Sequence, residues 1–168
     1  MEFPAAIINM KPTFSSHCVL VIDDEPGVLS VSRAVLTSQG FEVACASSGE
    51  QAVELLMYAI EQGQRYAACI LDLTMPGGLS GFDVLEQLHQ IDPDLPVIAC
   101  SGYFQEDARE LCRGIGFFDV LSKPHTPDLL CTTVRRAIAN VVDAPQEHHH
   151  GESADLPMYD GAHAFATA

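Results

Sequence analysis

Three short runs that are apolar almost throughout, each closed by a polar residue, set the frame of this chain: HCVLVID (17–23), AACILD (67–72) and PVIACS (96–101). A strand with one wet face alternates apolar and polar side chains. A strand apolar on both faces is covered on both sides, the pattern of parallel sheets. FEVACA (41–46) and DVLS (119–122) are two weaker strand candidates. Between the runs lie segments of helical period. Residues 26–39 set Val28, Val31, Val35 and Leu36 on one face, with Pro26 at the start and Gly40 just past the end. Ser48 and Gln51 have the spacing of a capping box ahead of Ala52, Leu55, Leu56 and Ala59. Further helices are predicted over 82–90 and 106–113. A last one, with Thr126 as N-cap and Pro127 at its first position, runs through Leu130, Val134, Ile138 and Val141.

Strand followed by helix, repeated about five times, predicts an α/β fold: a doubly wound parallel sheet with helices on both faces, joined by right-handed crossovers. Ligands of such sheets bind at the carboxyl ends of the strands. The acids of LVIDDEP (20–26) end the first strand, Asp72 ends the third, Ser101 the fourth, and Lys123 follows the fifth. All are expected at one edge.

With 168 residues, 48% of them hydrophobic, the chain has material for one domain and its tails. Residues 1–15 read as an extension and 16–142 as the folded domain. Residues 143–168 form an acidic, His-containing tail without a basic residue or sustained period, the composition of a disordered segment. His148, His149 and His150 with His163 offer metal-ligand chemistry, but in a tail of this kind they are expected to be simply solvated. A net charge of −15 with 8 Lys and Arg repels polyanions, so direct DNA binding and association with anionic membranes are not expected. No apolar run approaches the ~20 residues of a membrane span, and MEFPAAIINMKPTFSSH (1–17) does not read as a basic leader followed by a long apolar segment. Six cysteines without a C-x-x-C pair fit buried, reduced thiols and a cytoplasmic protein.

Three carboxylates at one sheet edge, Asp23, Asp24 and Asp72, repel one another unless a cation lies between them. Hard oxygen ligands with room for phosphate oxygens suit Mg²⁺. Lys123 and the Ser101 hydroxyl facing that ion would complete a site for a phosphoryl group, with Asp72 best placed as the nucleophile that becomes an aspartyl phosphate.

VLVIDDEP (19–26), CILDLTMPG (69–77), ACSGY (99–103) and VLSKP (120–124), in this order and spacing, resemble the receiver domain of two-component response regulators over roughly residues 16–142. The resemblance implies a flavodoxin-like (βα)5 sheet of strand order 2-1-3-4-5. It implies a phosphoacceptor rather than an enzyme that turns over a substrate, with Asp72 taking the phosphoryl group from a sensor histidine kinase or a histidine phosphotransfer protein. It implies Mg²⁺ on Asp24, Asp72 and the Thr74 backbone carbonyl, with Asp23 acting through a water, and phosphoryl contacts from Ser101 and Lys123. A cis peptide is implied between Lys123 and Pro124.

Two departures from the family pattern stand out. MPGGLSGFDVL (75–85) has one residue more than the usual loop, as in receivers of hybrid kinases, which implies phosphorelay service. Val120 stands where the family has an aromatic ring coupled to the phosphate-sensing hydroxyl, with Phe118 and Tyr103 as candidates to replace it. The 26 residues after Val142 are too few and too polar for an independent core, so output is expected through another protein. The alternative is a receiver-fold docking module that works independently of phosphorylation. A haloacid-dehalogenase-type phosphatase would need an acid two residues after Asp72, where Thr74 stands.

Overall fold

The computed structural model describes residues 17–102 and 108–143. Their elements alternate strictly: β1 (Cys18–Ile22), α1 (Pro26–Ser38), β2 (Glu42–Ala46), α2 (Gly49–Glu61), β3 (Ala68–Asp72), α3 (Gly81–Ile91), β4 (Val97–Ser101), α4 (Ala108–Ile115), β5 (Asp119–Ser122) and α5 (Pro127–Asp143). All strands pair in parallel, in the order β2-β1-β3-β4-β5, as expected.

Side chains along β1 divide between two cores because successive Cβ atoms point to opposite faces of a strand. Cys18, Leu20 and Ile22 join the layer under α2, α3 and α4, where Leu56, Leu88 and Cys112 are buried. Val19 and Val21 join the layer under α1 and α5, with Leu36, Leu130 and Val134. Covering both faces is what makes β1, β3 and β4 apolar up to the polar residues Asp72 and Ser101 that end β3 and β4. All six cysteines are free thiols, five buried and Cys45 half-buried.

Three local expectations change. Val31 of α1 points to solvent, while Ser32 and Leu36 are the buried positions and Leu29 packs beside them. The sequence pattern favoured valines, but the serine is small enough to sit where the helix meets the sheet. Ser48 does cap α2 by accepting from the Gln51 N–H, yet the Gln51 side chain turns to the Ser47 N–H at 2.7 Å and to its hydroxyl. The reciprocal capping box is at Ser80 and Asp83, where α3 starts. α4 runs two residues beyond its predicted end, to Ile115.

Close approach explains two glycines. A Cβ on Gly49 would lie 2.3 Å from Val84 Cγ2, and one on Gly81 would lie 2.5 Å from Leu73 Cδ2 and 3.1 Å from Leu73 Cα. These contacts seat α2 against α3, and α3 against the residue that follows Asp72. No helix among the described residues is long and apolar enough to cross a membrane. The expectations about residues 1–15, about the tail beyond Asp143 and about its histidines lie outside the described residues.

Candidate functional site

At the carboxyl ends of β1 and β3 the chain turns through two acids in the same way. Asp23 Oδ1 accepts the N–H of Glu25 at 2.9 Å, and Asp72 Oδ1 accepts the N–H of Thr74 at 2.9 Å. Each is a side-chain-closed turn that fixes the carboxylate with its own loop. The Thr74 hydroxyl adds a second bond to Asp72 Oδ1, at 2.7 Å. Asp23 is also anchored by its N–H on the Ala46 carbonyl, and Leu73, just after Asp72, donates to the Cys100 carbonyl. Two neighbouring strands thus hold the turns.

These turns leave both Oδ2 atoms facing one ammonium. Lys123 Nζ lies 2.7 Å from Asp23 Oδ2 and 2.8 Å from Asp72 Oδ2. Both aspartates are buried, at 3% and 2% exposure, whereas Asp24 is open to solvent. One carboxylate oxygen from each of Asp23, Asp24 and Asp72 falls within 4.8 Å of the others. Three carboxylates against one ammonium leave two negative charges uncompensated. The set is all oxygen, two acids fixed and one exposed, so it fits a hard divalent cation with part of its shell open to solvent or phosphate.

Burial alone would raise the Asp72 carboxyl, but hydrogen bonds from Lys123 and Thr74 outweigh it and hold the group below its ordinary value. Burial likewise works against the Lys123 charge, and its bonds to Asp23 and Asp72 outweigh that and raise the ammonium above its ordinary value. Both groups therefore stay charged at neutral pH.

Ser101 reaches this edge through register. Asp72 pairs with Cys100, so Ser101 stands one residue further along the neighbouring strand, opposite Ser122 of β5. It is 5% exposed, and its carbonyl accepts the Lys123 N–H at 2.9 Å. The Lys123–Pro124 peptide is cis. Every site residue expected from the sequence, Asp23, Asp24, Asp72, Thr74, Ser101 and Lys123, thus lies at one sheet edge.

Other neighbours of the site carry no sequence signal of their own. Cys100 Sγ lies 3.9 Å from His125 Nε2. Burial pushes the Cys100 thiol up to about 12, and burial followed by the Lys123 charge pushes the His125 imidazole down. A cleft of about 150 Å³ opens beside Asp24, between the start of α2 and the loop through Gly77 and Gly78. On its rim the Glu50 carboxylate accepts from its own N–H, the Ser48 hydroxyl and the Leu79 N–H, which together lower its carboxyl.

Val120 is buried in the layer under α4 with Phe117, while Phe118 packs in the opposite layer, so Phe118 does not replace the ring that Val120 lacks. Tyr103 lies outside the described residues.

A family model described as the response regulator receiver domain matches residues 19–135. The chain is 35% identical over 121 residues to the C4-dicarboxylate transport transcriptional regulatory protein DctD of Pseudomonas aeruginosa, a match covering 71% of this chain and 25% of DctD. It thus spans about a quarter of that relative's length. Among solved structures it is 32% identical to a response regulator receiver domain protein from Clostridium thermocellum, with a TM-score of 0.65 over 73% of this chain and 94% of the other. A CheY-like receiver domain protein from Methanospirillum hungatei shares the fold at 20% identity, with a TM-score of 0.66 over 76% of this chain and 98% of the other.

Proposed function

The chain belongs to the response regulator receiver domain family, and from that premise we propose that it accepts a phosphoryl group on Asp72 from a sensor histidine kinase or a histidine phosphotransfer protein. Passing the group on, or binding a partner while phosphorylated, would then carry the signal. The observation that carries this reading is the position of Asp72: buried at the end of β3, fixed by Thr74, bridged to Asp23 by Lys123, and with a carboxylate oxygen within 4.8 Å of those of Asp23 and Asp24.

In the reaction a carboxylate oxygen of Asp72 forms a bond to phosphorus as the donor's P–N bond breaks and the imidazole nitrogen leaves with the electron pair. The low proton affinity of Asp72 keeps it ionised for attack. Asp24 and Asp72, with the Thr74 carbonyl, are the proposed Mg²⁺ ligands, and Asp23 acts through water. Bound there, Mg²⁺ supplies Lewis-acid neutralisation of the phosphoryl oxygens. Lys123 contributes a second positive charge from the side of β5. Ser101, one residue along the adjacent strand, is the proposed hydroxyl donor to a phosphoryl oxygen.

The site thus works by positioning and charge, as expected of a phosphoacceptor rather than an enzyme acting on a diffusible substrate. The charge of −15 supports recognition of proteins rather than of nucleic acid by this region. The test is transfer from a phosphorylated histidine protein in the presence of Mg²⁺. A hydroxylamine-labile acyl phosphate on the wild type and none on Asp72→Asn supports the reading. Label retained by Asp72→Asn refutes it.

A further inference from the structure

At the edge of the sheet opposite the acidic site, one buried carboxylate gathers three guanidinium groups. Asp119, the first residue of β5, is 1% exposed. Arg109 Nη1 and Arg113 Nη2 of α4 lie 3.1 and 3.5 Å from its Oδ1, and Arg136 Nη1 of α5 lies 3.1 Å from its Oδ2. The three arginine side chains remain 51%, 48% and 52% exposed, so about half of each stays open to solvent while it holds Asp119.

Three positive charges against one negative leave a surplus of two, which Glu110 on α4 reduces by at most one. That surplus stands out in a chain with only 8 Lys and Arg. Other cations are engaged elsewhere: Lys123 on Asp23 and Asp72, Arg65 on Asp92 and Asp94, and Arg135 on Gln39 and over the Phe41 ring. Guanidinia held side by side by a buried counter-ion are pre-organised to receive further carboxylates, because the planar fork loses little freedom when it binds one.

The chain itself supplies carboxylates nearby. α5 follows β5, the last strand, and runs back along the sheet, so Arg136 in its second half meets the start of β5, and Asp143 is its last described residue. At ~1.5 Å per residue, Asp143 is about 10 Å past Arg136 on that edge. Residues 144–168 contain Glu147, Glu152, Asp155 and Asp160 and no Lys or Arg. Asp155 is twelve residues on from Asp143, and a chain of that length has a root-mean-square reach of about 20 Å, enough to span the distance back to the cluster.

We infer that residues 144–168 are an intramolecular ligand of the Arg109–Arg113–Arg136 surface, docking their acids on it. Tethering raises their effective concentration to the order of millimolar, so individually weak ion pairs suffice. The contact is salt-labile, since its charges are half exposed. A partner that docks acidic groups on this face must displace the tail.

The test uses the full chain above the histidine titration range and follows the Nε–Hε resonances of its arginines by NMR. The tail variant carries Glu147→Gln, Glu152→Gln, Asp155→Asn and Asp160→Asn, all outside the described elements. The expected result is that the Arg109, Arg113 and Arg136 resonances move in the variant, that added salt moves the wild type to the same positions, and that Arg65 does not move. Resonances of all three arginines that coincide in wild type and variant overturn the inference. So does a difference that fades on serial dilution, which would assign the contact to a second copy.

Discussion

Lys123 Nζ lies 2.7 Å from Asp23 Oδ2 and 2.8 Å from Asp72 Oδ2, so one ammonium from beyond β5 ties together the acids that end β1 and β3. The Asp72 carboxyl is held below its ordinary value of 3.8, so its contribution to stability is present above that pH and lost as pH falls through the lower folded value. The Lys123 ammonium is raised above 10.5, so its contribution is present below that pH and lost only as pH rises through the higher folded value. Lys123→Met should therefore flatten both limbs of the stability profile. It should cost about 2–3 kcal/mol on the plateau between them, because two buried carboxylates lose their partner. Urea unfolding across pH measures this; unchanged limbs would contradict it.

If Mg²⁺ and Lys123 neutralise the same carboxylates, the ion should stabilise Lys123→Met more than the wild type. Asp24→Asn should weaken Mg²⁺ binding on the order of tenfold while changing stability little, since Asp24 is exposed. Calorimetric titration reads the affinity, and thermal melts with and without the ion read the stabilisation.

Gly81→Ala places a methyl group 2.5 Å from Leu73 Cδ2 and 3.1 Å from Leu73 Cα. The side chain can turn away; the backbone has less freedom, and it carries Asp72 one residue earlier. The expected loss is about 1–3 kcal/mol, as for overpacked cores, together with weaker Mg²⁺ binding. A change in stability with unaltered Mg²⁺ affinity would show that the phosphoacceptor turn does not feel this contact.

Asp119→Ala removes the counter-ion of three arginines and the acceptor of the Val120 N–H at 2.9 Å. A loss of about 2–4 kcal/mol is expected, part of it recovered in salt as guanidinium repulsion is screened. Arg136→Gln should cost about 1 kcal/mol or less, because Arg109 and Arg113 remain on the carboxylate and the pair is half exposed. Urea midpoints at low and high salt separate the two variants.

Much of the fold was legible because parallel strands must be apolar on both faces: β1, β3 and β4 announce themselves, and the site follows from which residues end them. β2 and β5 were weaker signals. Glu42 and Asp119 break their apolar runs, and Asp119 is buried only because three arginines meet it. That meeting joins residues 10, 6 and 17 positions apart on separate elements, which no periodicity reports. Val31 was misplaced because hydropathy outvoted size: Ser32 is the residue that fits against the sheet. At the site, the residue types and strand ends could be read, while the Thr74 hydroxyl on Asp72 and the His125 ring beside Cys100 depend on loop geometry.

Phosphorylation of Asp72 is tested most directly by intact-mass analysis after incubation with acetyl phosphate and Mg²⁺, comparing wild type with Asp72→Asn. The expected result is a gain of one phosphoryl group on the wild type, removed by hydroxylamine and missing from the variant. The same gain on both proteins would contradict Asp72 as the phosphoacceptor. No gain on folded wild type, from acetyl phosphate or from a phosphorylated histidine protein, would contradict the phosphoacceptor role itself.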